Sequence, residues 1–152
     1  MAEQADYYIL DTAQRNDKLR FICRLTHKIY RSGKQCYLYC EPPLQTELDH
    51  LLWTFRQDSF IPHQIHHPNE SEHAVPVLIG QQPTAANPDD VLLILTPEEP
   101  SAAVLQAFKR LADFVCKKDP QEQQLGRLRY RAYLHHNIPI NNHPIQLSVL
   151  RT

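Results

Sequence analysis

The sequence predicts one α/β domain, a three-layer sandwich around a mostly parallel sheet. Three observations lead there. Strand-like and helix-like segments alternate over most of the chain, in the order strand, helix, strand, helix, strand, strand, helix, strand, helix. Such alternation is satisfied by a parallel sheet with helices on its faces. Two strand segments, "VPVLI" (75–79) and "VLLIL" (91–95), are near-continuous aliphatic runs, which suit strands buried on both sides. The third observation is size: 152 residues, 42% hydrophobic and 22% charged, suffice for one core and lack the polarity of a disordered chain.

Each element has its own justification. "YYIL" (7–10) is a short apolar strand closed by Asp11-Thr12. A helix is predicted over 16–31, where Leu19, Ile22, Cys23, Thr26, Ile29 and Tyr30 share one face and Lys18, Arg20, Arg24, Lys28 and Arg31 fall mostly elsewhere. Gly33 ends it as a left-handed cap, and "QCYLYC" (35–40) has the length and β-rich content of a strand. Pro42-Pro43 open a second amphipathic helix, 43–56, marked by Leu44, Leu48, Leu51, Leu52 and Phe55. The polar, proline-punctuated stretch from Arg56 to His73 reads as a long loop. "QQPTAANPDD" is too short to hold a crossover helix, which leaves an antiparallel pairing or an irregular link for the two aliphatic strands. "SAAVLQAFKR" is a helix capped by Ser101, "LADFVC" (111–116) the last strand, and 119–136 a helix with Asp119 as N-cap and Pro120 in its first turn. The proline-broken tail carries apolar residues that can pack back on the body or cover a sheet edge.

Several function classes are excluded or weakened. No apolar run approaches the ~18 residues a membrane span needs, and "MAEQADYYIL" lacks a basic start and an apolar signal core, so a cytoplasmic protein is expected. The three glycines, Gly33, Gly80 and Gly126, are too scattered for a phosphate cradle. "RSGK" (31–34) lacks the first glycine of a phosphate loop, carries Gln35 where Ser or Thr would bind magnesium, and lies between a helix and a strand; a helix cap is the better reading. Cys23, Cys36, Cys40 and Cys116 contain no C-x-x-C and read as free buried thiols, not a disulfide or zinc site. His63, His66, His67 and His73 fit no tetrahedral spacing and read as exposed loop histidines. No nucleophile motif occurs, and the carboxylate pairs Asp89-Asp90 and Glu98-Glu99 sit beside prolines as solvated caps. No catalytic residue, cofactor or metal is expected.

Two surfaces remain. Net charge is −1, yet residues 1–100 carry −6 and residues 101–152 carry +5, which points to a local anionic partner. On the last helix Gln123, Arg127, Tyr130, Arg131 and Leu134 form one stripe, with Leu125, Leu128 and Ala132 as the neighbouring core face and Lys117 and Lys118 just upstream. Guanidinium forks beside an aromatic ring suit an acidic peptide ending in an aromatic residue and a free carboxylate; the bland alternative is a solvated basic face. The second surface is "LLWTFRQDSFIPH" (51–63), which holds the sole tryptophan and two of five phenylalanines, material for either a core or a docking patch.

The segments "YYIL", "RSGKQCYLYCE", "LWTFRQDSFIPH", "VLLIL", "ADFV" and "RLRYRAY" follow the order and spacing of the chi subunit of bacterial DNA polymerase III. The chain resembles that family over about residues 6–140, most specifically at "RSGK…CE" and "LW…SFIPH". The resemblance implies a non-catalytic clamp-loader accessory protein with a Rossmann-like fold lacking a nucleotide site. It implies two partners: the psi subunit, and the acidic C-terminal tail of single-stranded-DNA-binding protein (SSB), which ends in a phenylalanine carboxylate. DNA would be contacted only indirectly. Psi would be met by Trp53, Phe60, Ile61, Pro62 and His63. The tail would be met by Val115, Lys117, Lys118, Gln123, Arg127, Tyr130 and Arg131, with Gln123 standing where the family has a lysine. Residues beyond about 140 receive no role from the resemblance. Two other classes compete: a direct single-stranded nucleic-acid binder stacking bases on Tyr130 and Tyr133, and a degenerate metal-dependent enzyme using the histidine loop.

Overall fold

The computed structural model describes residues 2–55, 60–67, 75–83 and 88–147. Ser59, His73, and residues 148–152 of the tail lie outside them. The elements are β1 (Gln4–Leu10), α1 (Arg15–Arg31), β2 (Cys36–Tyr39), α2 (Pro42–Thr54), β3 (His63–Ile65), β4 (Val77–Gly80), β5 (Val91–Ile94), α3 (Ala102–Ala107), β6 (Arg110–Cys116), α4 (Pro120–His135) and β7 (Ile140–Ile145). The seven strands form one sheet in the order β3-β4-β2-β5-β6-β1-β7, and every neighbouring pair is parallel.

The three-layer prediction holds. α1 and α2 cover one face, where Leu19, Ile22, Leu48 and Leu52 meet Leu38, Ile79, Leu93 and Phe114. α3 and α4 cover the other, where Leu105 and Tyr133 meet Tyr37, Leu78, Leu92 and Leu111. β4 and β5 are buried at every residue, as their unbroken aliphatic runs require. All four cysteines are free and buried; burial pushes the Cys23, Cys40 and Cys116 thiols up to about 12.

One pair of alternatives is decided and three expectations need correction. The two aliphatic strands do not pair, so the irregular link is the alternative that holds; β2 lies between them and runs parallel to both. The link from β4 to β5 therefore crosses over β2, with no helix among its described residues. β6 is not the last strand: β7 adds at the edge beside β1. Its Pro144 fits there, because an edge strand tolerates a missing N–H. Asn137, at φ 58, makes the left-handed turn out of α4, and Ile138 then tucks into the core. The presumed loop after α2 holds β3, with Ile65 in the strand and Ile61 two residues before it both packed into the core on the α2 side. Finally, α3 stops at Ala107, because Phe108 turns extended and buries its ring before β6 begins.

Caps agree with the sequence. Ser101 Oγ accepts from Val104 N, Asp119 Oδ1 accepts from Gln121 N and Glu122 N, and Gly33 follows α1 at φ +84. Of the carboxylate pairs, Asp89, Glu98 and Glu99 are exposed, but Asp90 is buried at the mouth of β5. No helix among the described residues is long and apolar enough to cross a membrane.

Candidate functional site

The cationic site is built by seating α4 on β1 and β6. Its first turn is pinned by Glu122, whose Oε1 accepts from Lys18 Nζ and from Cys116 N, both at 2.8 Å. Burial opposes that carboxylate's charge, but Lys18 and the backbone N–H outweigh it and hold Glu122 below the usual carboxylate range. At the helix N-terminus, where an anion would otherwise be welcome, the protein supplies its own acids.

Further along, Gly126 permits close approach. A Cβ there would stand 2.7 Å from the Tyr7 hydroxyl and 3.0 Å from Val115 Cγ2. One turn later Arg129, 2% exposed, enters the interior. Its Nε and Nη2 donate to Asp113 at 2.9 and 3.1 Å, and its Nη1 donates to the Pro97 carbonyl at 2.8 Å. The Tyr133 hydroxyl also donates to Asp113. Burial works against the guanidinium, yet Asp113 raises its pKa above the ordinary arginine value.

The buried stripe of α4 is thus Gly126, Arg129, Ala132 and Tyr133. This corrects the expected core face, since Leu128 is 48% exposed. Asp113 draws a cation and a hydroxyl inward and rotates the helix accordingly. Tyr133, fully buried, is therefore closed to stacking by a nucleic acid.

Above this base lies a groove of about 310 Å³. Tyr7, Ile9 and Val115 line its bottom, and Lys117, Gln123, Arg127, Tyr130 and Arg131 line its sides. Tyr130 meets Tyr7 edge-on, with centroids 5.0 Å apart, and accepts a hydrogen bond from Asn142 Nδ2. Burial, then Asp113, push the Tyr7 hydroxyl up to about 12, so it stays neutral. Lys117, Arg127 and Arg131 are exposed and make no ion pair among the described residues. Six of the seven predicted tail residues meet here. Lys118 does not; it turns to Asp11 at 3.3 Å. The sequence reading missed Tyr7 and Ile9, whose only signal was strand alternation. It also missed Arg129, which an aspartate inside the apolar run "LADFVC" could have announced.

The apolar site lies at the other end of the sheet, where α2 meets β3. Trp53 is 51% exposed and Phe60 60% exposed, with ring centroids 5.1 Å apart. Neither belongs to the core, which settles that question for Trp53. Beneath them His63 is buried against Trp53, its Nδ1 against the Ile61 carbonyl at 2.6 Å and its Nε2 against the Asp49 carbonyl at 3.0 Å. Ile61, expected as an anchor, is fully buried; two residues before β3, it packs into the core with Leu48 and Leu52 of α2. Pro62 is half-buried. Among the described residues these histidines do not converge: His63 is interior, His66 Nδ1 meets the Tyr37 hydroxyl at 3.0 Å, and His67 is exposed. No metal-holding cluster occurs among the described residues.

The chain matches the family model for "DNA polymerase III chi subunit, HolC" over residues 1–141. It is 34% identical over 141 residues to DNA polymerase III subunit chi of Pseudomonas aeruginosa, covering 92% of this chain and 95% of that protein. It is 30% identical over 136 residues to the Escherichia coli subunit, covering 86% and 90% respectively. Among solved structures, the crystal structure of T4 UvsW matches with a TM-score of 0.67 over 96% of this chain at 7% identity. This chain spans 42% of the T4 UvsW chain, and the likeness is one of fold alone.

Proposed function

The chain belongs to the DNA polymerase III chi-subunit family, and on that premise we propose that it is a non-catalytic, cytoplasmic adaptor joining the psi subunit, and through it the clamp loader, to the acidic tail of SSB. The observation that carries this reading is the Tyr7–Val115–Tyr130 groove rimmed by Lys117, Arg127 and Arg131. An aromatic side chain can enter the apolar bottom while its carboxylate meets a guanidinium at the rim. The psi side rests on Trp53 and Phe60, paired aromatic rings turned to solvent, with Pro62 beside them and Ile61 and His63 as support. Aromatic anchors of this type dominate interface energies.

Titration with a synthetic acidic peptide ending in Asp-Phe, and with the same peptide lacking the phenylalanine, tests the tail site. Removal of the terminal residue is expected to abolish measurable binding. Arg127→Ala is expected to weaken the full peptide by about 1–2 kcal/mol, near the strength of a charge-assisted hydrogen bond. Equal affinity for both peptides, or indifference to Arg127→Ala and to added salt, refutes the assignment.

A further inference from the structure

A second groove, of about 750 Å³, opens on the α1 face of the sheet. Tyr8 and His143 line it, as the outer rungs of an aromatic ladder whose inner rung, Phe114, is buried. Phe114, Tyr8 and His143 stand in register on neighbouring strands β6, β1 and β7. Phe114 and Tyr8 stack at 5.4 Å and Tyr8 and His143 at 4.9 Å, with interplanar angles of 13° and 21°. β7 is the edge strand among the described residues, so none of their strands covers His143, and its side chain is 40% exposed. The ladder therefore ends on an open imidazole face.

The wall opposite is α1, which contributes Phe21, Arg24, Leu25 and Lys28. Arg20, Arg24, Lys28 and Arg31, all exposed, recur at 4-4-3 spacing along it. They make no ion pair among the described residues. The stripe runs about 16 Å along the helix at 1.5 Å per residue. No acidic residue among the described residues lines the groove, and Asp6, the nearby acid on β1, is engaged by His143 at 2.8 Å and by Arg110 at 3.6 Å.

We propose that this groove binds single-stranded nucleic acid directly, one base continuing the Phe114–Tyr8–His143 stack while Arg24 and Lys28 hold the flanking phosphates. A flat ring attached to a regularly spaced polyanion matches both features at once. A single terminal carboxylate would use one cation and leave the rest of the stripe idle. The site is separate from the Arg127 groove, since Tyr8 and Tyr7 point to opposite faces of β1.

The test uses the full chain and a fluorescein-labelled oligothymidylate of about 15 nucleotides, read by anisotropy from about 20 to 200 mM salt. Weak binding is expected, with a log–log salt slope near −1.4 for two neutralised phosphates. Arg24→Ala with Lys28→Ala is expected to flatten that slope and to leave Asp-Phe peptide binding intact. His143→Ala is expected to weaken oligonucleotide binding about fivefold or more, and His143→Phe to retain it, because the ring does the stacking. An abasic strand of equal length is expected to bind as weakly as His143→Ala does. Overturning results are no binding at low salt, an abasic strand that binds equally well, loss on Arg127→Ala in place of Arg24→Ala/Lys28→Ala, or an acidic peptide, not DNA, responding to the Arg24 and Lys28 changes.

Discussion

The two ends of the sheet solve opposite problems. At the β3 end, apolar burial is complete without Trp53 and Phe60: Leu48, Leu52 and Ile61 close the core, and the two large rings are left over for solvent. At the α4 end, the interior itself is polar. Asp113, Arg129 and Tyr133 are buried together, and the exposed side of the same helix carries the cations. β3 lies five strands from β1, about 24 Å at the usual spacing, and the two sites use opposite faces. A partner at one end thus need not touch a partner at the other. The contrast also separates two ways of making a surface: one leaves hydrophobic area unspent, the other spends a buried ion pair to hold a helix so that neighbouring charges stay free.

The sharpest way to break the contrast is to remove the buried charge. Asp113→Ala strands Arg129 in the interior and takes an acceptor from Tyr133. A loss of about 3–5 kcal/mol is expected, read as a lower urea midpoint. Trp53→Ala, at a half-exposed position, is expected to stay within about 1 kcal/mol of the parent protein. Similar losses for the two would mean that the polar network does not set the stability of the α4 end.

Function should divide the other way. Phe60→Ala is expected to cost about 2 kcal/mol or more in psi binding, roughly a thirtyfold loss of affinity, with an unchanged urea midpoint. Salt should matter little there, because no charge is being paired. Ile61→Ala should instead lower stability by about 2–5 kcal/mol through the cavity it leaves. Psi affinity that falls with Ile61→Ala but not with Phe60→Ala, measured by calorimetry on folded protein, would transfer the contact to the buried residue and dissolve the idea of a surplus aromatic surface.

The same asymmetry governs how much could be read in advance. Periodic apolar residues mark α1 and α2, caps mark α4, and the double-sided aliphatic runs mark β4 and β5, because burial of nonpolar area leaves a local pattern. Strand order left none. Nothing in residues 75–95 says that β2 will lie between the two aliphatic strands, since that depends on packing distant segments. β7 hid behind Pro144, which an edge position makes harmless. The surface members of each site, exposed Phe60, Trp53 and Arg127 and half-buried Tyr130, were legible as residue types that are costly to leave in solvent or useful there. Their supports were not. Ile61 and Phe60 are neighbours with opposite fates, one packed into the core and one turned to solvent ahead of β3, and Arg129 looks like one more basic residue until Asp113 is placed beneath it.

The finest distinction concerns Gln123, which lines the proposed tail groove one helical turn before Arg127. A glutamine there can donate a hydrogen bond but adds no charge. Lys117, not Lys118, stands on the same rim, so the site keeps a cation near this position from a different element. Gln123→Lys should therefore improve Asp-Phe peptide affinity only slightly, by about 0.2–1 kcal/mol at low salt, because exposed charges are weak and screened. Lys117→Gln should cost a similar amount in the parent protein and less in the Gln123→Lys background, where the new ammonium covers the same carboxylates. That sign of coupling, read from a double-mutant cycle, distinguishes a relocated cation from two independent ones. Strict additivity of the two changes would make them independent cations, whereas a Lys117→Gln change without effect in either background would place Lys117 outside the peptide's reach and leave Arg127 and Arg131 as the carriers of charge at this end of the molecule.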